Sequence, residues 1–111
     1  MRIYHYSEMP DEAIGPDAPG SRRTRLNDVE SAVSTAMIEV APGGHTLQHS
    51  HPHEQTMFIL EGAGEARDGS GNAPISPGVF IYVRPGEPHV VYNTGEKPLR
   101  FLSIEPARVK A

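Results

Sequence analysis

Short apolar runs separated by glycine and proline make up most of this chain, and no segment sustains a 3.6-residue period. Ala36, Ile38 and Val40 alternate with Thr35, Met37 and Glu39, so Ala32 to Val40 reads as a strand with one buried face. Arg2 to Tyr6 reads as a short first strand. Met9 to Ser21 holds Pro10, Pro16, Pro19, Gly15 and Gly20 and reads as a meandering loop. Beyond the turn Pro42-Gly43-Gly44, His45 to His51 reads as a strand, broken by Pro52. Further strands are expected over Thr56 to Glu61, briefly at Ile75, over Val79 to Val83, which is the most apolar, over His89 to Asn93, and over Leu99 to Glu105, where Pro106 stops the run. Asp68 to Asn72, Pro77-Gly78, Pro85 to Pro88 and Asn93 to Glu96 supply turns. Many short strands with such punctuation predict an all-β fold, a sandwich or barrel of antiparallel sheets.

Composition narrows this picture. A chain of 111 residues is expected to be one domain. It has no Trp, so its core must rest on Ile, Leu, Val, Met, Phe and Tyr. A formal charge of −4 argues against a nucleic-acid or anionic-membrane partner. The short basic cluster Arg22-Arg23-Thr24-Arg25 reads as a solvated strand or loop edge. The absence of Cys excludes disulfides, thiolate ligands and a cysteine nucleophile. The first residues lack the apolar run of a signal peptide, and no run is long enough for a membrane span, so a cytoplasmic location is expected.

The chemistry concentrates in His49-Ser50-His51-Pro52-His53-Glu54-Gln55, which holds three of the six histidines. His49 and His51 stand two apart, so on a strand both rings face one way and can clamp a metal. Gln55, past the bend at Pro52, can add a third donor, and His89, just after a turn, a fourth. Three imidazoles and one oxygen suit a single divalent transition metal (Fe, Mn, Ni, Co, Cu or Zn) and do not suit Ca. Glu54 is the rival to Gln55. His53, two beyond His51, has the parity to face the cavity as well, but its favoured reading is a solvent-exposed histidine on the rim; His45 and His5 read as surface or strand-end residues.

Two spaced sets of residues surround these donors: Gly43, His49, His51, Gln55 and Gly62, then Gly78, Pro85, Gly86, His89 and Asn93. They resemble the two motifs of the cupin superfamily, with Gln55 where the family pattern has Glu and Pro85 one place late. The resemblance spans about Ala32 to Pro106. It implies a double-stranded β-helix, a small jelly-roll barrel forming a single cupin domain over 1–111, with a core at about 32–106 and an N-terminal arm at 1–31. It also implies that His49, His51, Gln55 and His89 hold the metal in the barrel mouth, that Asn93 forms a turn, and that the protein is a homodimer packed sheet against sheet, to which Arg2 to Tyr6 contributes. The neutral Gln55 leaves such a centre at formal charge +2 rather than +1. That weakens metal binding, makes the metal the stronger Lewis acid and disfavours the trivalent state.

Counting by twos from the donors sets Met57 and Ile59 on the side of Gln55, and Val91 on the side of His89. By analogy with cupins, Phe101 and Ser103 face inward as well, and Ala36 and Ile38 line the opposite wall. The expected pocket is small, mostly apolar and poor in fixed charge, which suits a small apolar or aromatic ligand rather than a phosphosugar. Tyr82 and Tyr92 are the available acid–base side chains, with Tyr92 facing away from His89. The reading carried forward is a metal-dependent, dioxygenase-like oxygenase. The alternatives are a metal-dependent isomerase or lyase and a non-catalytic small-molecule sensor.

Overall fold

The computed structural model describes residues 1–27 and 30–107. Nine strands follow in chain order: β1 Asp11–Ala13, β2 Ser21–Arg25, β3 Val33–Val40, β4 Gln55–Glu61, β5 Gly64–Arg67, β6 Asn72–Ile75, β7 Phe80–Val83, β8 Val90–Tyr92 and β9 Leu99–Pro106. They form a six-stranded sheet in the order β1-β2-β3-β9-β4-β7 and a three-stranded sheet in the order β6-β5-β8, with every pairing antiparallel. This is an all-β jelly-roll barrel, the architecture that the resemblance implies. No helix among the described residues is long and apolar enough to cross a membrane.

The alternation in the sequence places the core. Ala36, Ile38 and Val40 of β3, Met57 and Ile59 of β4, and Leu99 and Phe101 of β9 are all buried and point between the sheets. The register sets Phe101 against Ile38 on one side and Ile59 on the other, so three strands contribute to one layer. Ile75, Val83 and Val91 close the core from β6, β7 and β8.

Three local expectations change. Arg2 to Tyr6 is not a strand: Met1 and Ile3 are almost wholly exposed, leaving no buried face, and the chain turns through a 3-10 segment at Tyr6–Glu8. The supposed loop from Met9 to Ser21 contains β1 and leads into β2, which pairs with β3 along its whole length. These strands carry little apolar pattern because ion pairs dress them: Arg22 with Asp11, and both Arg23 and Arg25 with Glu12. His45 to His51 is not a regular strand either. It forms no continuous ladder, only the isolated bridges His45 to Tyr92 and His49 to His89, supplemented by single hydrogen bonds such as Thr46 N–H to the Val91 carbonyl at 2.9 Å. There the Val91 N–H donates to the Thr46 hydroxyl at 2.9 Å, where a ladder would use a backbone carbonyl.

Gly62 ends β4 with φ of +87°, and a Cβ at that position would meet the Pro98 carbonyl oxygen at 2.6 Å and Leu99 Cα at 2.8 Å. Gly62→Ala is therefore expected to lose about 1–3 kcal/mol through backbone strain alone, with displacement of the β9 entry adding to it. Thermal unfolding followed by circular dichroism reads the loss. An unchanged midpoint would show that this turn relaxes freely.

Candidate metal centre

His49, His51 and His89 converge at one end of the barrel, with one ring nitrogen from each lying within 4.8 Å of the others. The fold brings them there by two routes. The irregular segment before β4 is bridged to the start of β8 by paired backbone bonds between His49 and His89, at 3.4 and 3.0 Å. The His51 carbonyl accepts from Gly86 N–H at 2.7 Å, tying the bend to the turn that precedes His89. The ring centroids lie 4.7 to 5.1 Å apart.

Each ring is oriented by a backbone carbonyl. Nδ1 of His49 faces Leu47 O at 3.0 Å, Nδ1 of His51 faces His53 O at 2.7 Å, and Nδ1 of His89 faces Glu87 O at 2.9 Å. A carbonyl only accepts, so each Nδ1 carries the proton. The neutral ring then presents an Nε2 lone pair, the tautomer that a metal ligand needs. Burial holds the His89 imidazole below its ordinary pKa against the opposing pull of the Glu87 carbonyl bond, and the neighbouring His49 and His51 add to the lowering.

Gln55 opens β4 facing the same space. Its Oε1 lies 3.1 Å from His51 Nε2 and 3.0 Å from His89 Nε2, and its Nε2 donates to Ser103 Oγ at 2.8 Å. The Ser103 bond fixes which end of the amide faces the histidines. Three imidazole lone pairs and one amide oxygen so arranged repel one another and attract a cation. The donor set fits one divalent transition metal.

The rival Glu54 is exposed and accepts a hydrogen bond from the Tyr82 hydroxyl at 2.9 Å. That contact raises the Tyr82 phenol above its ordinary pKa and keeps both groups occupied with each other. Tyr92 stands between the His45 ring, 4.9 Å away, and the Arg67 guanidinium, 3.9 Å from its centroid. His5 binds Ser7 at the surface. Asn93 is buried and fixes the turn, donating to the Val40 and Lys97 carbonyls and accepting from Gly95 N–H. His53 differs from its expected place on the solvated rim. It is half-buried, its ring stacks on His51 at 4.1 Å, and its Nε2 lies 3.0 Å from Glu105 Oε2. No local spacing signals that partner, because it lies 52 residues away.

Of the residues expected to line a pocket, Ala36, Ile38, Met57, Ile59, Val91 and Phe101 belong to the buried core, and Ser103 holds Gln55. A cavity of about 490 Å³ opens on the side where β7 and β8 are sheet edges. It reaches His89, Met57 and Val91, and its outer wall includes Phe80 and Tyr82. Its arginine, Arg67, is committed to Glu65 and the Tyr92 ring.

Comparison with known proteins agrees with this geometry. A family model described as Cupin domain, Cupin_2, matches residues 36–105. The (R)-mandelonitrile lyase of Granulicella tundricola is 38% identical over 58 residues, which cover 51% of this chain and 44% of the lyase. The oxalate-binding protein of Thermotoga maritima is 33% identical over 70 residues, covering 62% of this chain and 58% of that protein. The chain thus spans about half the length of the curated relatives it matches. Among solved structures, the polyketide cyclase RemF from Streptomyces resistomycificus superposes with a TM-score of 0.89 at 25% identity, covering 97% of this chain and 80% of that one. A predicted oxalate decarboxylase from Thermotoga maritima superposes with a TM-score of 0.86 at 25% identity, covering 96% and 100%. A match over that much of the chain, on the same barrel, decides the membership: this protein belongs to the Cupin_2 family of cupin domains.

Proposed function

We propose that this cupin is a metal-dependent enzyme acting on a small, largely apolar or aromatic molecule. His49, His51, Gln55 and His89 hold its one divalent transition metal. The observation that carries the reading is the convergence of one ring nitrogen each from His49, His51 and His89, with the Gln55 amide oxygen beside the Nε2 atoms of His51 and His89. A metal held there supplies Lewis acidity toward a substrate oxygen. Gln55 brings no charge, which favours this polarising role over a change of oxidation state. Ser103 keeps the amide oxygen pointed at the centre. Met57, Val91 and the apolar wall of the neighbouring cavity exclude water and offer an aromatic ligand its contact surface. A lyase or isomerase reaction without O₂ is the form these features support best, and the likeness to a lyase named for mandelonitrile, a small aromatic molecule, points the same way.

The dioxygenase-like reading is kept as the second, because a metal held by these four donors would keep room for both a substrate and O₂ if it took up six ligands. The test is elemental analysis of the protein as isolated. It is followed by turnover of a panel of aromatic cyanohydrins, phenols and enediols with and without O₂. Anaerobic turnover that a chelator abolishes is the expected result. O₂ consumption coupled to product favours the second reading. Ligand binding without turnover at any metal loading overturns both and leaves the oxalate-binding relative as the better guide.

Two further expectations belong here. Gln55→Ala should lose metal while Glu54→Ala keeps it, since Glu54 faces Tyr82. If only the Glu54 variant loses metal, the donor assignment is wrong. The outer face of the six-stranded sheet exposes Phe58, Leu60, Phe80, Tyr82 and Ile104, a band that a second copy would cover as a homodimer. Light scattering should give twice the 12.1 kDa chain mass, and Phe80→Asp should shift it to the monomer. A wild-type monomer would sink the dimer. A cytoplasmic setting is part of the same proposal.

A further inference from the structure

His53 and Glu105 make a pair that the donor set does not use. The His53 ring lies flat on His51, with planes 5° apart, and its carbonyl accepts the His51 Nδ1 proton at 2.7 Å. Its own Nε2 is 3.0 Å from Glu105 Oε2, with both side chains largely shielded. Glu105 continues the inward parity of Phe101 and Ser103 along β9. The β4–β9 register pairs Met57 with Ser103 and Thr56 with Ile104, and Gln55 and Glu105 are the next residues of the two strands. Side-chain donor atoms of His51, His53 and Glu105 fall within 4.8 Å of one another. The two other carboxylates near the donors are engaged elsewhere, Glu54 with Tyr82 and Glu87 with Arg84. The carboxylate absent from position 55 is thus present at Glu105, linked to His51 through His53.

We infer that Glu105, acting through His53, adds a negative field to the metal centre from outside a donor set that stays neutral, and holds the His51 ring in its ligating orientation. The inference rests on the metal reading above. Glu105 is a positioning residue that touches His53 rather than the metal. Outer partners of this kind set metal affinity by orienting the ligand and adding field. The attraction of a fixed carboxylate also scales with the charge of the centre, so it is larger for a +2 centre than for a +1 centre.

The test is a double-mutant cycle read as affinity for Zn(II) or Co(II), measured by competition with a chromophoric chelator. It uses wild type, Glu105→Gln, Gln55→Glu and the double variant. Glu105→Gln preserves an acceptor for His53 and removes only charge. It should weaken binding on the order of tenfold while the metal-free melting midpoint stays put. Gln55→Glu should tighten binding, and in that background the cost of Glu105→Gln should shrink. Unchanged affinity in Glu105→Gln, or the same cost in both backgrounds, overturns the inference. A wild-type protein that takes up neither ion overturns the metal centre itself, so the two failures are distinguishable.

Discussion

His51→Ala is expected to strip the protein of its metal. His51 is the most connected of the donors: its ring stacks on His53, lies 5.1 Å from His49 and 4.8 Å from His89, and sets its Nε2 beside Gln55 Oε1. Alanine removes one of three imidazoles and leaves two, with a neutral amide oxygen as the weaker remaining donor. The affinity loss should exceed the roughly 10- to 100-fold that changes to outer partners cost. The fold should survive, because His51 lies outside every strand and outside the core. Metal per chain after gel filtration is the direct measurement. A second readout is thermal: saturating metal at about 100 times its Kd stabilises a protein by about 2.7 kcal/mol, so a chelator should lower the wild-type midpoint and leave that of His51→Ala where it is. A variant that retains wild-type stoichiometry and chelator response would remove this cluster from consideration as the metal site.

Phe101→Ala carries the largest expected loss of stability. Phe101 is 1% exposed and lies in β9, with Ile38 and Ile59 as its cross-strand neighbours. Removing a buried phenyl ring costs about 3–5 kcal/mol through lost burial and the cavity left behind. Domains of this size hold about 5–15 kcal/mol in total. At about 4 °C per kcal/mol, the melting midpoint should fall by more than about 10 °C. Differential scanning calorimetry on metal-free protein reads this without the contribution of a bound ion. A drop of only a few degrees would mean that the layer shared by β3, β9 and β4 closes over the gap. Because Ser103 lies two residues further along the same strand, Phe101→Ala should also loosen the hold on Gln55.

Those two sites show what was legible in the sequence. The buried face of β3 could be read from Ala36, Ile38 and Val40, because a one-sided sheet enforces period two. The four motif glycines Gly43, Gly62, Gly78 and Gly86 and the His49–His51 spacing were also readable, since tight turns and ligand geometry constrain residues close together in the chain, and His89 was readable from its place in the second motif. β1 escaped notice, and β2 was read only as a solvated strand or loop edge, because their polar residues are held by ion pairs, as between Arg22 and Asp11, instead of by burial. The segment from His45 to His51 looked like a strand, yet it is governed by the Thr46 hydroxyl and the Gly86 contact, which no alternation records. His53 looked like a rim residue because its partner, Glu105, becomes a neighbour only when β9 inserts beside β4.

That insertion has a consequence for how the molecule is made. β9 is the last strand in chain order, yet it lies in the middle of the larger sheet, between β3 and β4. Until it arrives, β3 and β4 each present a bare hydrogen-bonding edge, the kind of surface that pairs with other chains. Its closure spans more than half the sequence, a long-range pairing of the sort that slows folding. Ser103 and Glu105 travel with it, so the metal centre gains its supporting shell in the same step that seals the sheet. A nascent chain halted before Leu99 should therefore be both prone to aggregate and unable to hold metal.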